Sequence, residues 1–139
     1  MTSSADGRVR IGIVGLGNIG TYHAEFLADV EAAALVAGLD IDADARESFA
    51  ETFDVDTYAD RGDLFDDVDA VIVTTPNRFH EDYAVAALDA GVDVLLEKPL
   101  AHTLESAERI AAAAEASDAL CMVGFNNRFA NPVEVLKHD

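Results

Sequence analysis

The sequence predicts an α/β protein in which a doubly wound parallel sheet lies between two layers of helices. Apolar runs with strand character alternate with segments of helical periodicity, which is the pattern of a parallel sheet covered on both faces. The chain has 139 residues, of which 50% are apolar, so it can form one domain with a core but hardly two. Nothing in the series repeats at a fixed period.

Six strands are predicted, of which the third is weak: residues 9–14, 35–40, 55–58, 70–74, 92–97 and 120–125. Apolar stripes at helical spacing predict four helices between them. The stripes are Ile19, His23, Phe26 and Leu27; Ala45, Phe49 and Phe53; Phe79, Tyr83, Ala86, Ala87 and Ala90; and Leu104, Ala107, Ile110, Ala111 and Ala114. Asp42 or Asp44, Asn77 and Thr103 are the predicted caps of the last three, and Gly91 stands where the third helix ends.

The charge of the chain argues against several classes of partner. Its net charge is -18, from 27 acidic and 9 basic residues, so nucleic acids and anionic membranes are expected to be repelled. The acids are spread along the chain and only two of the bases are lysines. This composition resembles cytosolic proteins of salt-accumulating halophiles, in which molar salt screens the repulsion; an ordinary acidic protein is the alternative.

Other features favour a cytoplasmic protein. No apolar run approaches the roughly 18 residues of a membrane-spanning helix, and the first ten residues do not resemble a secretory leader. Cys121 is the only cysteine, so the chain can form neither an internal disulfide nor a cysteine-rich metal site. No metal site is expected.

The motif Gly15-Leu16-Gly17-Asn18-Ile19-Gly20 follows the first strand and opens directly into a helix. In a dinucleotide-binding Rossmann fold, the first glycine allows a tight turn, the second lets a pyrophosphate approach the backbone, and the third packs the helix on the strand. Asp40 ends the second strand, where its carboxylate can bind both ribose hydroxyls. A 2′-phosphate there would meet the like charge of Asp40, and no adjacent arginine would offset it, since Ile41 and Asp42 follow. NAD is therefore preferred over NADP. An ordinary tight turn is the alternative for the glycines, and a capping or solvated role is the alternative for Asp40.

Three further segments narrow the interpretation to a family. They are Thr74-Thr75-Pro76-Asn77-Arg78-Phe79-His80, Glu97-Lys98-Pro99-Leu100-Ala101 and Gly124-Phe125-Asn126-Asn127-Arg128-Phe129. In this order they resemble the N-terminal domain of the glucose-fructose oxidoreductase, inositol dehydrogenase and MocA family, over about residues 9–132. The resemblance implies a nicotinamide cofactor. Thr74, Thr75, Pro76, Asn77 and His80 would lie along its nicotinamide half, Glu97 would hold its ribose, Asn126 would contribute a further contact, and Lys98 would face the substrate.

Lys98 is the candidate catalytic residue. Ligands of an open parallel sheet bind beyond the carboxyl ends of its strands, which is where the motifs are predicted to lie. A lysine beside the nicotinamide can stabilise negative charge on a substrate oxygen, or pass its proton, while hydride moves to the cofactor. A solvated loop lysine is the alternative for Lys98. A capping or surface role is the alternative for His80, and His23 is expected to be structural.

The expected organisation is a Rossmann domain over residues 1–127, followed by a connection, residues 128–139, to a substrate domain of α+β type that this chain lacks. The resemblance places the general base and the contacts to a small sugar, cyclitol or polyol in that domain. We therefore expect dinucleotide binding with negligible turnover, and exposed apolar surface through which the chain could self-associate. A stand-alone regulatory module that senses NAD is the second hypothesis. A methyltransferase is disfavoured because it leaves Glu97, Lys98 and Pro99 unexplained.

Overall fold

The computed structural model describes residues 7–124, which form a single six-stranded parallel sheet with helices on both faces. The strands are β1 (Val9–Val14), β2 (Ala33–Leu39), β3 (Asp56–Tyr58), β4 (Ala70–Val73), β5 (Asp93–Glu97) and β6 (Cys121–Gly124). The helices are α1 (Asn18–Leu27), α2 (Ala43–Phe53), α3 (Arg61–Phe65), α4 (His80–Asp89) and α5 (Leu104–Ala116), and a 3₁₀ turn (Asn77–Phe79) precedes α4. The predicted fold class is confirmed.

The strand order β3-β2-β1-β4-β5-β6 makes the sheet doubly wound. The chain adds β2 and β3 on one side of β1 and then β4, β5 and β6 on the other side, so the order reverses between β1 and β4. The core accordingly forms one cluster on each face. Ile13 and Ile72 pack with α1 and α2, whereas their chain neighbours Val14 and Val73 pack with α3, α4 and α5. Strand residues therefore alternate between two apolar layers, as in a sheet that is buried on both sides.

Helix α3 was not predicted. It has only five residues, so it carries no apolar stripe of the length that periodicity can detect. Its start is fixed by Asp60, whose carboxylate accepts from the amides of Gly62 and Asp63. The helix contributes Leu64 and Phe65 to the core on the face of the sheet that α4 and α5 also cover.

Most of the predicted caps are confirmed. The carboxylate of Asp42, rather than that of Asp44, caps α2, and the Thr103 hydroxyl caps α5 by accepting from the Ser106 amide at 3.0 Å. Gly91 follows α4 with a left-handed φ of 77°. The Asn77 cap is wrong, because the Asn77 side chain caps neither the 3₁₀ turn nor α4.

The stripes are only partly correct. Helix α1 packs through Gly20, His23, Ala24 and Leu27, a spacing in which small residues take positions that the prediction gave to larger ones. The exposed members of the predicted stripes are Ile19, Phe26, Phe79, Ala90, Leu104 and Ala111. A large apolar residue at the correct spacing is therefore not a reliable sign of burial in these helices. None of the helices within residues 7–124 has the length and apolarity to cross a membrane.

Candidate functional site

The segments that follow β1, β2 and β4 meet at one edge of the sheet. Backbone hydrogen bonds join them: the Gly15 amide donates to the Leu39 carbonyl at 2.9 Å, and the Thr74 amide donates to the Val14 carbonyl at 2.8 Å. A cleft of about 390 Å³ opens above these strand ends, at the point where the strand order reverses. It is lined by Gly15, Gly17, Leu39, Asp40, Ile41, Thr74, Thr75, Pro76, Phe79 and Tyr83.

The three glycines of the first loop have different surroundings. A Cβ on Gly20 would lie 2.0 Å from the Gly15 carbonyl oxygen, so only glycine allows α1 to approach the loop this closely. Gly15 has a left-handed φ of 96°, and a Cβ there would lie 2.9 Å from the Thr74 hydroxyl. Gly17 has nothing within 4 Å of such a Cβ, so its backbone is open to the cleft. No side chain caps the start of α1 and no acid lies in its first turn, so its amides can bind a phosphate group.

Asp40 lies where its carboxylate can link the loop to the turn after β2. One carboxylate oxygen accepts from the Leu16 amide at 2.9 Å and the other from the Asp42 amide at 3.0 Å. Arg46 donates to the Asp40 carbonyl at 2.7 Å. The sequence analysis found no arginine adjacent to Asp40; the first turns of α2 bring one there. The positive charge of Arg46 therefore lies close to the backbone of Asp40, the residue that is predicted to disfavour a 2′-phosphate.

The two threonines after β4 differ in their hydrogen bonds. The Thr74 hydroxyl donates to the Gly15 carbonyl at 2.7 Å and lies 3.1 Å from the Val14 carbonyl. The Thr75 hydroxyl oxygen is buried and has no hydrogen-bond partner among residues 7–124. Buried polar atoms are nearly always paired, so the Thr75 hydroxyl suits a polar group of a molecule bound in the cleft. Together with the open backbone of Gly17, it makes the cleft a fit for a dinucleotide.

Tyr83 and Phe79 line the cleft from α4 and the turn before it, although the sequence analysis treated both as core residues of a helical stripe. Burial raises the pKa of the Tyr83 hydroxyl, Arg61 opposes this, and Asp40 and Asp82 reinforce it. Tyr83 therefore stays a neutral hydrogen-bond donor at neutral pH. Leu39 and Ile41 were missed as well, although their positions on either side of Asp40 could have indicated them.

Lys98 is exposed directly after β5, and its amide donates to the Gly124 carbonyl at 3.0 Å. Its neighbour Glu97 is buried, with its carboxylate against the ring Nε2 of His23 on α1. His80 is also buried, and its two ring nitrogens face the carbonyls of Thr75 and Leu100, each at 3.1 Å.

The predicted site residues within residues 7–124 thus fall into two groups, those that line the cleft and those, including His80, Glu97 and Lys98, that do not. Six line the cleft: Gly15, Gly17, Asp40, Thr74, Thr75 and Pro76. Around them, Asn18 and Ile19 are exposed at the start of α1, Gly20 is buried beneath it, and Asn77 is half-buried at the start of the 3₁₀ turn. Asn126 lies outside the described residues, as does the predicted domain boundary at residues 127 and 128.

One apolar area of the described surface is open. On the α1 face, the row formed by Ile13, Ile72, Leu95 and Met122 crosses the sheet, and exposure rises from 0% at Ile13 to 62% at Met122. Phe26 of α1 and Leu120 before β6 border the resulting groove of about 340 Å³.

Comparison with known proteins agrees with this geometry. A family model described as an oxidoreductase family with an NAD-binding Rossmann fold, GFO_IDH_MocA, matches residues 9–125. Glucose-6-phosphate 3-dehydrogenase of Bacillus subtilis is 37% identical over 128 residues, which cover 92% of this chain and 37% of the relative. Myo-inositol 2-dehydrogenase of Thermotoga maritima is 36% identical over 132 residues, which cover 93% and 40%.

A solved structure extends the comparison to a bound cofactor. The WlbA dehydrogenase of Chromobacterium violaceum, in complex with NADH and UDP-GlcNAcA, superposes with a TM-score of 0.87 at 28% identity and covers 99% of this chain and 41% of its own. The chain thus spans about two fifths of the length of these relatives.

Proposed function

Since the chain belongs to the Gfo/Idh/MocA oxidoreductase family with an NAD-binding Rossmann fold, we propose that it is the cofactor-binding domain of a dehydrogenase that oxidises a sugar, cyclitol or related polyol. The cleft carries the proposal, because it brings together the open backbone of Gly17, the carboxylate of Asp40 and the unpartnered hydroxyl of Thr75. These are groups for a pyrophosphate, a ribose and a polar part of the nicotinamide half.

NAD is the proposed cofactor. The Asp40 carboxylate is held in place by two amides and would repel a 2′-phosphate while accepting hydrogen bonds from ribose hydroxyls. The positive charge of Arg46 would attract a 2′-phosphate and so favour NADP, but its guanidinium donates to the Asp40 carbonyl. Because the carboxylate lines the cleft and Arg46 does not, we expect the carboxylate to dominate.

Lys98 is the proposed catalytic residue. The bound cofactor supplies the hydride acceptor, and the protein must manage the charge and the proton of the substrate hydroxyl. The Lys98 ammonium can donate a hydrogen bond to that oxygen and stabilise the negative charge that develops on it. Glu97 stays a predicted ribose contact, Asn77 stays a predicted contact of the nicotinamide half, and Asn126 stays a further predicted contact of the cofactor.

The substrate class is taken from the relatives, two of which are named for oxidation of a sugar phosphate and an inositol. Since the chain spans about two fifths of their length, the activity of a whole protein is a proposal as well. For the 139-residue chain alone, we propose binding with negligible turnover, because Lys98 is exposed among the described residues and water is therefore not excluded from the proposed catalytic group.

Calorimetric titration of NAD and NADP into the purified chain at high salt tests the proposal. We expect NAD to bind more tightly than NADP, Asp40→Ala to weaken NAD binding by about 10- to 100-fold, since hydrogen bonds to charged groups contribute about 1.5–3 kcal/mol, and Lys98→Ala to leave binding unchanged. Arg46→Ala is the matched control on the same turn and is expected to weaken only NADP binding. Failure of both nucleotides to bind would overturn the proposal, and equal binding of both would overturn the preference for NAD.

A further inference from the structure

Two buried histidines contact the segment that carries Lys98, residues 97–100, from opposite sides. His23 comes from α1 and contacts the first residue of this segment, whereas His80 comes from α4 and contacts the last. Neither histidine lines the cleft. Both histidines can therefore support the 97–100 segment without lining the cleft themselves.

At the first end, the His23 ring Nε2 donates to the Glu97 carboxylate. His23 is 5% exposed and Glu97 is 8% exposed, so neither group has water as a ready alternative partner. Loss of the ring would remove a charged hydrogen bond from a buried carboxylate and so loosen the attachment of the 97–100 segment to α1. The hydrogen bond thereby couples the end of β5 to the helix that begins at the glycine loop.

At the other end, the His80 ring spans two strand-end loops. Its Nδ1 lies 3.1 Å from the Leu100 carbonyl and its Nε2 lies 3.1 Å from the Thr75 carbonyl, and the residue is 1% exposed. A neutral imidazole donates to one of these carbonyls at a time, whereas a doubly protonated ring donates to both. Whichever nitrogen carries the proton, the buried ring lies between the loop after β4, which lines the cleft, and the 97–100 segment, and its size sets the separation between them.

Between these ends, the hydrogen bond that Lys98 makes within residues 7–124 comes from its backbone and not from its side chain. The Lys98 amide donates to the Gly124 carbonyl, while the residue itself is exposed. A lysine has a long, flexible side chain, so the reach of its ammonium depends on how firmly its Cα is fixed. Hydrogen bonds at Glu97, Lys98 and Leu100 restrain the position of this Cα.

We infer that His23 and His80 are positioning residues, which hold the 97–100 segment from its two ends and so fix the backbone of Lys98 relative to the loop after β4, which lines the cleft. The consequence for catalysis rests on the proposed function, but the fixing of the segment does not. This assigns His80 to the support of the site, whereas the family resemblance implied that it contacts the cofactor.

Amide hydrogen exchange by NMR tests the inference without nucleotide. The readout is the exchange rate of the Lys98 amide relative to that of the Val94 amide, which donates to the Leu120 carbonyl within the same strand pair. We expect His23→Leu and His80→Leu each to raise this ratio about tenfold or more, because they release the segment locally. Leu88→Ala, a buried change near the opposite end of α4 from His80, is expected to destabilise the fold and leave the ratio unchanged.

The two lysines of the chain, Lys98 and Lys137, provide a second readout. After reductive ¹³C-methylation, each lysine gives its own methyl signals, and Lys98→Ala assigns them. We expect His23→Leu and His80→Leu to shift and narrow the Lys98 signal alone. His23→Gln keeps an N–H donor for the carboxylate and is expected to restore the wild-type signal. Equal rises of the Lys98 and Val94 exchange rates in every variant would reduce the histidines to ordinary core residues and overturn the inference.

If the variants do not fold, the inference can still be tested on the wild-type chain. A ring N–H of His80 that donates to a buried carbonyl exchanges slowly with water, so it is expected to give a resolved signal in ¹⁵N-detected spectra. If both ring sites exchange freely, the inference fails. The proposed function and the positioning role can fail separately. If NAD does not bind but the histidine variants raise the ratio of the Lys98 and Val94 exchange rates, only the proposed function is contradicted. If NAD binds but this ratio is unchanged in the variants, only the positioning role is contradicted.

Discussion

At the scale of single residues, Thr74 and Thr75 are chemically identical neighbours with opposite roles in the structure. The Thr74 hydroxyl stabilises the glycine loop by donating to the Gly15 carbonyl. The Thr75 hydroxyl is buried beside the cleft without a partner in the described part of the chain. The contacts of the described residues account for the first hydroxyl, whereas a molecule bound in the cleft would give the second a partner.

Valine substitutions at the two positions should therefore act in opposite directions. Thr75→Val removes an unpaired buried hydroxyl, so the free energy of unfolding is expected to rise by up to about 1–3 kcal/mol, while NAD binding weakens. Thr74→Val removes a paired hydroxyl and is expected to lower the free energy of unfolding by about 1 kcal/mol. Urea denaturation and calorimetry of both variants measure the two effects. A loss of stability in Thr75→Val would show that its hydroxyl serves the fold and not a ligand.

The sequence predicts those site residues whose neighbours lie in the same loop. Gly15, Gly17 and Asp40 could be found because a strand end and a helix start fix their positions. Arg46 and Tyr83 reach the site through the way their helices pack, which no local spacing records. For the same reason, the contact between His23 and Glu97, which are 74 residues apart, could not be predicted, although His23 was correctly expected to be structural.

At the scale of elements, α1 shows why apolar periodicity predicts the existence of a helix better than it predicts the buried face. Its contact with the sheet uses Gly20 and Ala24 where the stripe suggested Ile19 and Phe26. Small residues let α1 approach the strand closely enough for its first amides to face the cleft. The short helix α3 gave no such signal, because its few residues are fixed by a cap and two core contacts.

The close approach of α1 can be tested with two alanine substitutions in the same loop. In Gly20→Ala the new Cβ would lie 2.0 Å from the Gly15 carbonyl oxygen, so the loop and helix must separate, at a cost of about 1–3 kcal/mol or more in unfolding free energy. In Gly17→Ala nothing lies within 4 Å of the new atom, and stability is expected to change by less than about 0.5 kcal/mol.

Nucleotide binding separates the two variants further. We expect Gly17→Ala to weaken NAD binding although it folds normally, because its methyl group occupies the space through which the pyrophosphate reaches the backbone. Thermal denaturation and calorimetry of the same samples measure both quantities. Full NAD affinity in Gly17→Ala would contradict a phosphate site at this loop.

Helices α4 and α5 are joined by an ion pair whose effect should depend on pH. Arg109 donates to both carboxylate oxygens of Glu81 at 2.6 and 2.9 Å, and Ser106 donates to one of them at 2.8 Å. The Arg109 hydrogen bonds, followed by that of Ser106, hold the pKa of Glu81 below its ordinary value of 4.5. A lowered pKa in the folded state stabilises the fold at pH values above 4.5, and this contribution is lost as the pH falls through the folded-state value.

Glu81→Gln should accordingly lower the melting temperature at pH 7, and the difference from wild type should shrink as the pH falls below 4.5 and the carboxyl group of Glu81 becomes protonated. Glu51→Gln, an exposed change on α2, is the control and is expected to have no such effect. Melting curves across this pH range provide the measurement. A difference that stays constant with pH would mean that packing, and not the charge of Glu81, joins the helices.

At the scale of the whole molecule, the charge is the property that least resembles an ordinary small domain. With 27 acids and 9 bases, most carboxylates cannot have a cationic side chain as a partner. The partly buried pair of Arg10 and Asp69, at 3.2 Å, is less affected by salt than the exposed acids, which repel one another through solvent that salt can screen. Stability in dilute buffer is thus reduced by a long-range term that no single contact of the fold reveals.

We therefore expect the melting temperature to rise when KCl is increased from about 0.1 M to about 1 M, as the Debye length falls from about 10 Å to about 3 Å. The triple variant Asp29→Asn, Glu31→Gln, Glu115→Gln removes three exposed acids and should melt higher than wild type in dilute buffer but show a smaller rise with KCl. Sucrose stabilises by exclusion from the surface and does not screen charge, so it should raise the melting temperature of both proteins equally. An identical KCl response in the two proteins would show that the salt acts through hydration and that the acid-rich surface is no adaptation to salt.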